Sequence, residues 1–230
     1  MPNAHLHRIA DLPLGDRPRE RLLALGARSL SDAELLALLL RTGRRGASAL
    51  DLARHLLHES GGLEGLATAQ RTHLARRGLG EAKVASLLAA IELGRRLARA
   101  ELGDRDPMNR PALVARYLFL RYGEVDQEVL GALFLDIRNR LLTERELYRG
   151  TLQRTAVEPR AILKAGLLAG AAGMVIFHTH PSGDPAPSLE DLQFTRRLHD
   201  AGDLVGIRMV DHLILGTKDR WVSLRQHGHW

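Results

Sequence analysis

Two histidines, His178 and His180, close a short apolar run, Gly173-Met174-Val175-Ile176-Phe177. Neutral imidazole is the commonest nitrogen ligand for metal ions in proteins. A glycine-bounded, β-branched run reads as a buried strand, and alternate strand residues face the same side, so both rings project in one direction. From Pro181 to Pro187 the chain holds three prolines and a glycine, which specify a turn-rich loop because proline fixes φ and cannot continue a ladder. Ser188 then opens a periodic segment as a helix N-cap, with Asp191 at the third helical position. Two nitrogens and a carboxylate thus return to one place with a fourth position open, the donor set of a catalytic zinc site holding one Zn2+ per chain. A plainer reading uses the same residues. Ser-x-x-Asp is also a capping pattern that needs no metal, and His-x-His can be two half-exposed rings. The combination around a proline-stiffened loop favours the ion.

Hydrolysis of an amide needs a further group that takes a proton from water and delivers it to the leaving nitrogen. Glu128, immediately before the apolar run Val129–Leu135, is the candidate, although an exposed glutamate is usually only a solvated one.

These residues need elements to carry them. In the second half the pattern predicts a helix over 112–122, strands over 129–136 and 140–148, and a helix over 159–168. The strand ending in the two histidines follows, then the helix opened by Ser188, then strands over 205–215 and 221–224. The first half is helical throughout. A helix over 19–25 is stopped by Gly26, and the capping box Ser31-Asp32-Ala33-Glu34 opens a second that ends at Gly43. Apolar spacing continues over 47–57 and 63–75, and a long helix runs from Glu81 to Ala100. The polar, proline-bearing stretch from Glu101 to Pro111 marks a boundary. The predicted class is α+β: an all-α domain over residues 1–103, a linker over 104–110, and a domain with a mixed sheet over 111–230.

Composition narrows the function. The chain has 230 residues and no cysteine, so disulfides and thiolate metal sites are excluded and any zinc must use histidine and carboxylate. No stretch is apolar enough to cross a bilayer, and residues 1–8 lack the apolar core of a signal peptide, so a cytoplasmic location is expected. The formal charge of +6 is uneven. Residues 1–103 hold 16 basic against 11 acidic side chains, and residues 104–230 hold 17 against 16. The excess in the first half points to a polyanion partner there. Arginine supplies 30 of the 33 basic residues, which coding bias alone can produce.

The turn Gly78-Leu79-Gly80 between two helices resembles the helix-hairpin-helix module, in which glycines let backbone N–H groups approach a DNA phosphate at the second helix's start. Arg76, Arg77 and Lys83 surround it, so Gly78, Gly80, Lys83, Arg76 and Arg77 are the candidate DNA contacts. The alternative is a plain helical bundle with a solvated arginine face.

The order glutamate, long gap, His-Thr-His, seven residues, serine, two residues, aspartate resembles the JAMM (MPN+) metalloprotease motif, at Glu128, His178, His180, Ser188 and Asp191. More closely, Tyr148-Arg149-Gly150-Thr151-Leu152, His180-Pro181-Ser182-Gly183-Asp184-Pro185 and Asp211-His212-Leu213-Ile214 resemble the bacterial RadC family. Arg17-Pro18-Arg19-Glu20-Arg21-Leu22-Leu23 and the Gly78–Gly80 turn are similar to the helical domain preceding it there. The resemblance implies a JAB/MPN-like (cytidine-deaminase-like) fold, zinc on His178, His180 and Asp191, Glu128 as general base and acid, and Ser188 as donor to the oxyanion of the tetrahedral intermediate. Two departures are Thr179, where RadC proteins commonly have asparagine, and Glu158-Pro159-Arg160-Ala161, where His-Pro-Arg-Glu is usual. Asp211 and His212 are further candidates for contacts behind the ligands.

The expected function is a zinc-dependent peptidase or isopeptidase linked to DNA repair or recombination, with a peptide or protein substrate, DNA at the N-terminal domain, and no membrane partner. The alternative is a DNA-binding accessory protein with a structural metal. A nuclease is disfavoured because one histidine-rich site offers no two-metal clamp. A zinc nucleobase deaminase is disfavoured because its paired cysteines are missing.

Overall fold

The computed structural model describes residues 12–228 apart from 45, 70, 77–78, 104–109, 124–126, 151–157 and 218. The chain divides into two compact units, Met1–Leu93 and Gly94–Trp230.

The first unit is helical: α1 (Pro18–Leu25), α2 (Asp32–Leu40), α3 (Ala49–Ser60), α4 (Leu63–Thr68), α5 (Arg71–Arg76) and the start of α6 (Glu81–Gly103). Capping boxes open α2 at Ser31–Glu34 and α3 at Ser48–Asp51, each satisfying two orphan N–H groups of a first turn. Leu36, Leu40, Leu52, Leu56, Leu66, Leu74, Val84 and Leu87 form its core. Two expectations are corrected here. The helix expected over 63–75 is two helices, broken at Ala69, which adopts an extended conformation. Helix α2 ends at Arg41 with φ 62° and not at Gly43. Gly43 serves close approach instead, since a Cβ there would lie 1.9 Å from the Ala47 carbonyl oxygen.

The second unit is a mixed five-stranded sheet between helices. Its elements are α7 (Pro111–Tyr122), β1 (Glu128–Leu135), β2 (Leu141–Gly150), α8 (Pro159–Leu168), β3 (Gly173–Thr179), α9 (Leu189–Leu204), β4 (Arg208–Leu215) and β5 (Trp221–Ser223). The strand order is β2-β1-β3-β4-β5, with β3 and β4 parallel and the other pairs antiparallel. Period-two alternation sorts the strands' side chains to two faces. Val129, Leu133, Val175, Phe177, Leu213 and Leu215 pack with α7, while Leu130, Ala132, Phe134, Met174, Ile176 and Met209 pack with α8 and α9. Both faces of β3 are covered, which is why its whole sequence is apolar up to His178. Ala98 and Leu102 join the α7-side core, so the last turns of α6 belong with this unit by packing. The linker expected over 104–110 lies outside the described residues except for Arg110.

Candidate metal centre

The centre lies where β3 ends. Leu130 of β1 pairs with His178 of β3, and continuing that register by two residues sets Glu128 across from His180. Between them, the Val129 N–H donates to Thr179 Oγ1 at 2.9 Å and ties the start of β1 to the end of β3. One ligand atom from each of Glu128, His178 and His180 falls within 4.8 Å of the others, a group that can hold a metal ion. The facing His178 Nε2 and His180 Nε2 are 2.9 Å apart.

The loop after His180 then returns the chain to the same place. The His180 N–H donates to the Leu215 carbonyl at 2.8 Å, and the Gly183 N–H donates back to the His180 carbonyl at 2.8 Å. Gly183 has φ 79°, and a Cβ there would meet Thr217 Oγ1 at 2.5 Å, so only glycine fits. Arg220 Nη2 and the Thr217 N–H both donate to the Gly183 carbonyl and pin the loop. His180 Nδ1 lies 2.7 Å from the Asp184 carbonyl oxygen. A carbonyl only accepts, so Nδ1 carries a proton, and in the neutral ring Nε2 faces the centre without one.

Helix α9 brings the carboxylate. Ser188 is its N-cap. The Ser188 N–H and Oγ–H donate to Asp191 Oδ2 at 2.8 and 2.5 Å, and Ser188 Oγ accepts from the Asp191 N–H at 3.2 Å. Asp191 Oδ1 lies 3.4 Å from His178 Nε2, and Oδ2 lies 3.7 Å from His180 Nε2. The capping box and the converging carboxylate are therefore one structure. The hydroxyl proton of Ser188 points to Asp191 Oδ2, so contact with an oxyanion requires that bond to open.

Charge in the centre favours a cation. Burial pulls the Asp191 carboxyl upward, but the contacts with His180, His178 and Ser188 outweigh it and hold Asp191 well below the usual carboxylate range. The same carboxylate raises the pKa of His180 against the effect of burial. Two imidazole nitrogens from the end of β3 and an anionic carboxylate from α9 match the nitrogen and oxygen donors that zinc-class ions take.

Behind His178 stands His212 of β4, fully buried, with Nε2 at 2.8 Å from His178 Nδ1. Burial pushes the His212 pKa down to about 4. Its neighbour Asp211 is turned elsewhere, accepting hydrogen bonds from the Ser223 hydroxyl and the Arg225 N–H. Thr195 of α9 contacts His212 Nδ1 at 2.7 Å. Neither Thr195 nor the strap from Thr179 belongs to the pattern read from sequence. The Asp191–Thr195 spacing of one helical turn is the only signal that could have found Thr195.

Of the candidate DNA contacts, Arg77, Gly78 and the Arg76 side chain lie outside the described residues. Gly80 is exposed at the start of α6. Lys83 is turned inward: its Nζ donates to Thr42 Oγ1 at 2.7 Å and lies 3.4 Å from the Gly43 carbonyl, bracing the turn after α2. Near the other end of the chain, His227 contacts the Ser223 carbonyl, and His229 is not described.

Residues 108–229 match the family described as RadC-like JAB domain, and residues 9–85 match that described as UPF0758 N-terminal. The chain belongs to the RadC family. Named relatives agree along its length. A UPF0758 protein of Chloroflexus aurantiacus (strain J-10-fl) is 46% identical over 222 residues, 96% of each chain. One from Azotobacter vinelandii is 48% identical over 222 residues, 96% of this chain and 98% of its own. This RadC-family chain has, among its described residues, no helix long and apolar enough to cross a membrane.

Proposed function

We propose that this protein is a zinc-dependent hydrolase of peptide or isopeptide bonds. The observation that carries the reading is the convergence of Glu128, His178 and His180 within 4.8 Å, with the Asp191 carboxylate 3.4 Å from one imidazole and 3.7 Å from the other. His178 Nε2, His180 Nε2 and Asp191 would hold the ion. When bound, zinc supplies Lewis acidity and lowers the pKa of water to about 7. Glu128 stands at the rim, half-buried on the first residue of β1. From there its carboxylate takes the proton of the attacking water and passes it to the departing amine, so that no free amide anion has to leave. The Thr179 strap and the pairing of β1 with β3 hold Glu128 in register with the histidines, which is the positioning that general acid–base transfer needs. Ser188 fixes the Asp191 carboxylate, and its hydroxyl would serve an oxyanion only once that bond opens.

The RadC-like domain supports this reading because the JAB superfamily includes metalloproteases. For the helical unit, the basic excess over residues 1–103 supports contact with nucleic acid around Gly80. Because Lys83 braces the turn after α2, phosphate contact is left to Arg76 and Arg77 in this reading. Salt-dependent DNA binding that survives Lys83→Met but falls with paired Arg76 and Arg77 changes tests this.

The test of the main reading is a screen of peptide and isopeptide-linked substrates with the zinc-loaded full chain. Hydrolysis should disappear on chelation and return with zinc. Zinc-loaded protein that cleaves none of a broad substrate set, or cleavage indifferent to chelation, contradicts it.

A further inference from the structure

The polarity of the hydrogen bonds behind His178 can be counted proton by proton. Thr195 Oγ1 lies 2.6 Å from the Asp191 backbone carbonyl, which only accepts, so the single hydroxyl proton of Thr195 points there. Thr195 Oγ1 therefore accepts from His212 Nδ1–H across 2.7 Å. His212 is 0% exposed, with its ring nitrogens against His178 Nδ1 and Thr195 Oγ1, so burial keeps it neutral with one proton. With that proton on Nδ1, Nε2 is bare and must accept, across 2.8 Å, from His178 Nδ1–H. In the neutral His178 ring this leaves a bare Nε2 directed at His180 and Asp191.

Free histidine favours the opposite tautomer, with the proton on Nε2, which cannot bind a metal through that atom. The chain Asp191 carbonyl–Thr195–His212 overrides this preference. Its last member reaches the site through a register shift. Met174 pairs with Met209 and Val175 with Asp211, so Val210 is an extra residue in β4. Met209 faces the α9 side and Val210 the α7 side, and the one-residue shift returns His212 to the α9 side, beside His178.

We propose that His212 and Thr195 are positioning residues that lock His178 in the Nδ1–H tautomer and so make its Nε2 a ligand. This rests on the hydrolase reading for its purpose, and its structural content is independent of it. Together with the Asp184 carbonyl behind His180, it sets two imidazole Nε2 atoms, both bare when the rings are neutral, 2.9 Å apart beside a carboxylate, three acceptors that a shared proton or a metal ion satisfies.

Nitrogen-15 imidazole spectra of the metal-free full chain at mildly alkaline pH read the tautomer directly, and the expected pattern for His178 is protonated Nδ1 with bare Nε2. Zinc affinity, measured by competition with a chromogenic chelator, should fall about 10- to 100-fold in His212→Phe. It should largely survive in His212→Gln, whose amide both accepts and donates. Thr195→Val should lower affinity by freeing His212 to reverse its polarity, and Thr195→Ser should restore it. A purely structural role would lower the melting temperature in these variants without moving tautomer or affinity. A wild-type His178 protonated on Nε2 overturns the inference. Unchanged zinc affinity in His212→Phe also overturns it and leaves the hydrolase reading standing. A wild type that takes up no zinc overturns the hydrolase reading, and the tautomer spectrum still judges this one. Should His212→Phe fail to fold, the Thr195 pair and the wild-type spectrum decide.

Discussion

Replacing Asp191 with asparagine separates its two roles. In the cap, the amide oxygen can accept from the Ser188 N–H and Oγ–H as Oδ2 now does at 2.8 and 2.5 Å. The amide nitrogen then takes the place of Oδ1, 3.4 Å from His178 Nε2, and offers that lone pair a proton. The first role is kept, while the second becomes a competitor of the metal. The expected cost to the metal-free protein is therefore small, within about 1 kcal/mol. For the wild type, free zinc at 100 times its dissociation constant adds about 2.7 kcal/mol to stability. In a unit of about 140 residues that raises the melting temperature by about 10 °C. An affinity about 100-fold weaker in Asp191→Asn leaves about 0.4 kcal/mol at the same zinc concentration, a shift of about 1–2 °C. Differential scanning calorimetry with and without zinc reads both numbers. A variant whose zinc-induced shift equals that of the wild type would refute the assignment of Asp191 as a ligand. One already destabilised by several kcal/mol without zinc would refute the claim that asparagine preserves the cap.

Three other outcomes follow from particular contacts. Gly131→Ala places a Cβ 2.3 Å from Phe177 Cζ and 2.8 Å from the Arg145 carbonyl oxygen, so denaturant unfolding should show a loss of about 1–3 kcal/mol. Thr179→Val removes the acceptor of the buried Val129 N–H. It should cost about 1–3 kcal/mol by the same measurement and lower kcat more than zinc affinity, since it loosens Glu128 and no ligand. Tyr117 is buried and donates to Glu144, and burial first, then that bond, pushes its phenol up to about 12. A raised folded pKa gives stability that is complete below the unfolded value of about 10 and is lost as pH climbs toward 12. Ultraviolet titration should accordingly show this phenol ionising near pH 12, and Tyr117→Phe should flatten the alkaline stability loss.

Much of the second unit was legible because its signals are local. A glycine-bounded apolar run, a proline-stiffened loop and a Ser-x-x-Asp cap each specify their own backbone, and together they return His178, His180 and Asp191 to one place. What escaped reading depends on tertiary contact. His212 is a candidate by the family resemblance, but the extra Val210 in β4 that brings it to the centre leaves no trace in the strand's sequence. Thr195 looks like any mid-helix threonine until its partners are known. The break between α4 and α5 falls at Ala69, partly buried against the helical core, with no proline or glycine there to announce it. Arg41 takes a positive φ that sequence would assign to the nearby Gly43, which the Ala47 carbonyl requires for a different reason.

The proposed hydrolysis depends on Glu128 moving a proton beside an ion held by His178, His180 and Asp191. The direct measurement is amide hydrolysis by zinc-loaded wild type and zinc-loaded Glu128→Gln, with metal content determined on the same samples. The predicted result is one zinc per chain in both proteins, and hydrolysis in the variant reduced by about 100-fold or more. Equal hydrolysis by the two proteins at equal zinc content would contradict it.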